Sequence, residues 1–269
     1  MGVEDLVRNH YGGADLEEMI FRGLRDAGAD PEALTLDDLA AVDQLHAGFL
    51  PATRYLLDQL ALAPATRLLD VGCGIGGPAR VAAEAYGCPV VGIDLSPDFI
   101  RVARVLTERV GLAERVEHQV AGGSGIDFGN ESFDRAMMIH VGMNIADKAS
   151  VFAEVRRVLR PGGTFGLYEQ MRTGPGPLTY PLPWAEDDRS SFAASPQAYA
   201  ADLEAAGFVV ERTEDRTPAP GGPPGPPGPP PRLSPAAVFG PEFAGRLANN
   251  IADARAGRLA PVVIIARAD

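Results

Sequence analysis

The chain has 269 residues, 46% of them hydrophobic, enough to bury the core of one large α/β domain or of a domain with a modest cap. A formal net charge of −12 disfavours a nucleic-acid backbone or an anionic membrane surface as partner. The opening MGVEDLVRNH lacks the apolar core of a secretion signal, and no stretch approaches the roughly 18 apolar residues of a membrane span. With only Cys73 and Cys88, the former between two glycines, a cytoplasmic protein with reduced thiols is expected, and no Cys/His cluster suggests a metal.

Residues 1–63 read as a helical cap. Leu16, Met19, Ile20 and Leu24 recur at helical spacing over 15–27. Thr35 followed by Asp37 and Asp38 predicts a capped helix start, and a further helix is expected over 51–62. From residue 64 strands and helices alternate. Strands are predicted over 66–71, 89–93, 115–120, 134–140 and 164–169, with helices over 78–86, 97–110 and 149–159 between them. A helix over 196–206, a strand over 208–212, a helix over 241–256 and a strand over 260–267 complete the chain. This alternation predicts a doubly wound, Rossmann-like, mostly parallel seven-stranded sheet, whose ligands lie at the carboxyl ends of the strands. Residues 170–195 lack periodicity and are expected to form a lid loop, and the Gly-Pro-Pro stretch over 218–232 a stiff exposed loop.

The chemistry concentrates in LLDVGCGIGG, residues 68–77. An apolar strand delivers Asp70, then Gly72, Gly74 and Gly76 turn the chain into a helix where a Cβ would obstruct both the turn and a ligand. The glycine spacing alone also suits a dinucleotide, since Gly77 completes the longer fingerprint. A carboxylate at Asp70 would repel a pyrophosphate but could organise a cationic ammonium. Asp94, closing the second strand, is placed to accept from two ribose hydroxyls, as in nicotinamide enzymes too.

Residues 65–169 resemble the core of the class I S-adenosylmethionine-dependent methyltransferases, through LLDVGCGIGG, Gly92-Ile93-Asp94-Leu95-Ser96, Ser132-Phe133-Asp134 and Leu159-Arg160-Pro161-Gly162-Gly163. The segments Asp43-Gln44-Leu45-His46, His140 to Ile145 and Pro183-Trp184 are similar to small-molecule enzymes near the sarcosine/dimethylglycine N-methyltransferases. The resemblance implies S-adenosylmethionine as cofactor, held by Asp70, Gly72, Gly74, Gly76, Asp94 and Leu95, with His140 beside it. It also implies an acid after the third strand to meet the adenine amino group. Here the matching stretch is Ala121-Gly122-Gly123-Ser124-Gly125, so Ser124 and backbone amides are expected to serve instead.

His140 ends the fourth strand, where it is either a general base for the acceptor or a hydrogen-bonded wall of the cofactor cleft. Glu169 and Gln170 end the fifth, as acceptor contacts or surface groups, with Glu169 a candidate catalytic carboxylate. Asn144 is expected to face substrate. His46 either packs in the cap or lines the acceptor pocket, Trp184 either walls that pocket or anchors the lid, and His10-Tyr11 could order over the cofactor. These residues predict methyl transfer to a nitrogen or oxygen of a small-molecule acceptor, amino-acid-like or a natural product. A nicotinamide-dependent oxidoreductase, and a methyltransferase fold repurposed for cyclisation or partner binding, are the alternatives. Nothing in the pattern decides between a monomer and a homodimer.

Overall fold

The computed structural model describes residues 16–217 and 241–269. The cap is α1 (Leu16–Ala27), α2 (Leu36–Asp43) and α3 (Phe49–Asp58). The alternating region runs β1 (Leu68–Val71), α4 (Gly77–Tyr86), β2 (Val90–Asp94), α5 (Pro97–Arg109), β3 (Val116–Val120), β4 (Phe133–Ile139), α6 (Lys148–Val158), β5 (Leu159–Arg172), α7 (Pro196–Ala205), β6 (Phe208–Asp215), α8 (Pro241–Arg255) and β7 (Leu259–Ala268). The strands form one seven-stranded sheet in the order β3-β2-β1-β4-β5-β7-β6. β1 pairs in parallel with β2 and β4, and only β7 runs antiparallel, between β5 and β6.

Local chemistry sets most boundaries. Thr35 Oγ1 accepts from the Asp38 amide while Asp38 Oδ2 accepts from the Thr35 amide, a reciprocal cap that starts α2 as its sequence predicts. Pro at the first turn and a serine cap fix the starts of α5 and α7. β1 is buried along its whole length, as a central parallel strand with helices on both faces must be. Its alternation sends Leu69 and Val71 into a core with Phe133, Phe152, Phe165 and Tyr199, and Leu68 into another with Leu56, Leu57, Leu60 and Ala79.

The second core joins cap to sheet. Gly166 of β5 presents no side chain, and a Cβ there would stand 2.8 Å from Leu60 Cδ2 and 3.1 Å from Leu56 Cδ1, so α3 and the turn after it pack directly on the strand. A third core sets Leu16, Ile20, Leu24, Leu39 and Val42 of the cap against Val102 and Leu106 of α5.

Two expectations are corrected. β5 extends to Arg172, because residues 164–172 pair without interruption with β7, so the loop predicted from 170 begins beyond the strand and Gln170 is a strand residue opposite Pro261. β6 likewise continues past Arg212 to Asp215 along β7. The Pro-rich stretch 218–232 and His10-Tyr11 lie outside the described residues. No described helix is long and apolar enough to cross a membrane.

Candidate active site

The strand order reverses between β1 and β4, and the carboxyl ends of β1, β2, β4 and β5 meet there. The glycine loop is shaped by close approach. Gly72, Gly74 and Gly76 all have positive φ, at 74°, 54° and 84°. A side chain at Gly72 would enter Val141, and one at Gly76 would stand 2.6 Å from His118 Cε1, whereas the position over Gly74 is open. The first and third glycines therefore let neighbouring side chains in, and the middle one leaves free space against the loop. Gly77 has another reason: its missing side chain makes room for the Asp43 backbone of the cap.

Asp94 anchors this loop. Its Oδ2 accepts from the Gly74 amide at 3.0 Å and its Oδ1 from the Ser96 amide at 2.9 Å, fixing the carboxylate while each oxygen keeps a further lone pair. Burial raises its pKa, and these two bonds partly offset the rise. Asp70 stands apart. It is 1% exposed, its Oδ2 has no hydrogen-bond partner, and burial together with the Asp94 charge pushes its carboxyl to about 8. A buried polar atom without a partner is costly, so this oxygen is open to one. Leu95 is half-buried and lies against Gly122, and Ser124 is exposed on the loop after β3.

The second half of the site is the turn after β4. His140 adopts φ 54°, an uncommon left-handed conformation for a histidine, while its amide donates to the Tyr168 carbonyl at 2.8 Å. Its Nε2 is buried without a partner, and burial with the nearby His46 drives its pKa well below the usual value, so the ring is a neutral base. The ring centroid lies 5.7 Å from that of His46 and 5.3 Å from that of Tyr168. Asn144 Oδ1 and Gln170 Oε1 are likewise buried and unpartnered. Four side chains singled out by the sequence thus each carry an unsatisfied polar atom at the strand ends.

Glu169 is placed differently from the expectation of a carboxylate facing the acceptor. It is fully buried, and its Oε1 and Oε2 accept from the Val141 and Gly142 amides at 3.1 and 3.0 Å. Burial lifts its pKa to about 8 despite these bonds and Lys148 nearby. It holds the His140 turn from behind. His46 is also engaged at both nitrogens, Nδ1 at 3.1 Å from the Ala47 carbonyl and Nε2 at 2.8 Å from Thr53 Oγ1, and burial depresses its pKa to about 4. It can offer an acceptor only its ring surface. Trp184 is 2% exposed in a small core with Met143, Leu178, Leu182 and Leu259, its indole N–H donating to Ser191 at 3.0 Å. It packs as a loop anchor, one of the two roles its sequence position allows.

His118, on β3, was not legible as part of this region. Its Nδ1 lies 3.7 Å from Cys73 Sγ in the glycine loop and its Nε2 2.9 Å from Thr107 Oγ1, and burial beside Arg80 and Arg104 lowers its pKa to about 3. The pattern of β3, buried at Val116 and His118, was the only sequence signal for it. Cys73 and Cys88 are both buried free thiols.

Residues 69–167 match the family model described as a methyltransferase domain. That match runs from β1 into β5. A sterol 24-C-methyltransferase of Gibberella zeae is 34% identical over 119 residues, 44% of this chain and 31% of that relative, so the match spans about a third of the relative's length. Among solved structures, a geranyl diphosphate methyltransferase in complex with geranyl diphosphate and sinefungin aligns over 98% of both chains, with a TM-score of 0.70 and 20% identity. The [4+2]-cyclase SpnF aligns over 81% of this chain and 80% of its own, with a TM-score of 0.63 and 22% identity. At such identities these neighbours establish the fold, and no more.

Proposed function

We propose that this chain transfers a methyl group from S-adenosylmethionine to a nitrogen or oxygen of a small-molecule acceptor. The observation that carries this reading is the pair of acids flanking the glycine loop, Asp70, buried with an unpartnered oxygen, and Asp94, half-buried and fixed by the Gly74 and Ser96 amides. A pyrophosphate would meet two acids there, whereas a ligand with an ammonium and a ribose diol answers both. Open space over Gly74 leaves room for the ligand against the backbone.

In this reading Asp70 takes the ammonium of the methionine moiety, Asp94 the ribose hydroxyls, and Leu95 with the Gly122–Ser124 backbone the adenine side. When bound, the cofactor supplies a methyl group already activated on a cationic sulfur. The protein then has to hold an acceptor lone pair in line with that methyl and exclude water. His140 Nε2, buried without a partner, takes the acceptor's proton in this reading, with the ring proton on Nδ1. Glu169 fixes the turn that carries it.

Calorimetric titration with S-adenosylmethionine, S-adenosylhomocysteine and, as control, NAD tests the assignment. Micromolar binding of the first two, lost in Asp94→Ala, is expected. Failure of both to bind sinks it. Turnover against an acceptor panel separates methyl transfer from a fold repurposed for cyclisation, which would bind the cofactor without consuming it.

A further inference from the structure

We infer that His118 is a positioning residue for the cofactor, a role that rests on S-adenosylmethionine lying against the loop at Gly74. The register of the sheet brings it there. His118 of β3 pairs with Gly92 of β2 and is 2% exposed. A Cβ at Gly92 would stand 2.9 Å from His118 Nδ1 and 2.8 Å from Cys73 Sγ. The glycine therefore lets the ring lie across β2 and reach the loop.

There Nδ1 is 3.7 Å from Cys73 Sγ, and a Cβ at Gly76 would stand 2.6 Å from Cε1 and 2.9 Å from Nε2. The loop thus rests on one ring at Cys73 and at Gly76, whereas the position over Gly74 between them is open. Shape passes from the ring to the ligand side through backbone bonds. The Gly76 amide donates to the Cys73 carbonyl at 2.8 Å, and the Gly74 amide to Asp94 Oδ2 at 3.0 Å. A shift of Cys73 or Gly76 therefore moves the peptide that fixes the Asp94 carboxylate.

Polar partners fix the ring's orientation. Thr107 Oγ1 of α5 lies 2.9 Å from Nε2 and accepts from Arg80 Nη1 of α4 at 3.2 Å. Arg104 Nε and Nη2 both donate to the His118 carbonyl, at 3.0 and 2.6 Å, and hold the strand beneath the ring. An apolar side chain would fill this space at lower desolvation cost, but nothing would stop it from rocking. A buried, hydrogen-bonded ring keeps one orientation, and the loop that rests on it keeps one shape.

Titration of S-adenosylhomocysteine well below each protein's melting temperature separates positioning from mere stability. Thr107→Val is nearly isosteric and removes the hydroxyl. It should weaken binding about tenfold, as for one buried hydrogen bond, and Thr107→Ser should keep it within about twofold of wild type. His118→Gln keeps a polar end for Thr107 but loses the ring, and should weaken binding about tenfold or more. Phe208→Leu, buried on β6 at the far edge of the sheet, should lower the melting temperature and leave affinity within about twofold. Native affinity in Thr107→Val or His118→Gln, a Thr107→Ser protein as weak as Thr107→Val, or an equal loss in Phe208→Leu overturns the role. Should His118→Gln not fold, the Thr107 pair decides by itself. If the wild-type protein does not bind S-adenosylhomocysteine, the cofactor reading falls; if it binds and the variants match it, only the role of His118 does.

Discussion

Arg80 Nη2 donates to Asp43 Oδ2 at 2.9 Å, and both side chains are buried, 0% and 3% exposed. This ion pair ties the last residue of α2 to the first turns of α4, directly behind the glycine loop. Burial raises the Asp43 carboxyl even against Arg80, so the pair is held together by packing and hydrogen bonds as much as by attraction. From Asp43 the contact continues through Gln44, which with Thr53 reaches His46. The cap is therefore wired to both halves of the site.

Removing one partner leaves a buried charge alone. Asp43→Ala is expected to cost about 3–5 kcal/mol of stability. Chemical denaturation checks this, and a loss below about 1 kcal/mol would mean that the pair is solvated.

The three loop glycines should separate into two behaviours. Gly72→Ala and Gly76→Ala push a methyl group into Val141 and into His118, and both should lower the melting temperature sharply. Gly74→Ala has open space and loses only the backbone preference, about 1 kcal/mol, yet should abolish binding of S-adenosylhomocysteine. Melting curves paired with titrations decide it: a Gly74→Ala protein that binds normally would remove the cofactor from this loop.

With Asp70 in its proposed role, cofactor binding is proton-linked. With a pKa of about 8 it is mostly protonated at pH 7, and an ammonium partner favours the ionised form. Binding of S-adenosylhomocysteine at pH 7 should release up to about one proton, read as a dependence of calorimetric enthalpy on buffer ionisation heat. Asp70→Asn should remove that dependence and weaken binding.

The same shift sets a stability profile. Asp70 and Glu169 both have folded pKa values near 8, above their unfolded values, so their contribution is present at low pH and lost as pH rises toward 8. His46 and His118, depressed to about 4 and about 3, act in the opposite sense below pH 6.5, where the unfolded chain takes up protons. Above pH 6.5 only the carboxyls remain, and the unliganded protein should lose about 1.4 kcal/mol per carboxyl per pH unit up to pH 8. Melting temperatures rising between pH 6.5 and 8 would contradict it.

Glu169→Gln keeps the size but turns one acceptor into a donor facing an amide, loosening the turn that presents His140. Turnover should fall by about ten- to a hundredfold from misplacement alone, with cofactor affinity nearly unchanged. An equal loss in cofactor affinity would mean that Glu169 supports the whole pocket.

What the sequence determined by itself is what local chemistry encodes. Strand-then-glycine-then-helix at 68–77, the acid closing β2, the cap at Thr35 and the alternation after residue 64 each involve residues a few positions apart, and each emerged in place. The unpartnered atoms of Asp70, His140, Asn144 and Gln170 were reachable the same way, because residues at strand ends near a reversal of order share one cleft. Tertiary structure alone decided which of their neighbours are already engaged. Glu169 and Gln170 are adjacent, yet opposite strand faces send one to the backbone of the β4 turn and leave the other without a partner. Trp184 and His46 stood open between packing and ligand contact, and Ser191, Thr53 and Ala47 engage their ring nitrogens. Asp43 and Arg80, 37 residues apart, carry no sign of each other in sequence, since a buried pair is specified by where two helices pack and not by any spacing along the chain.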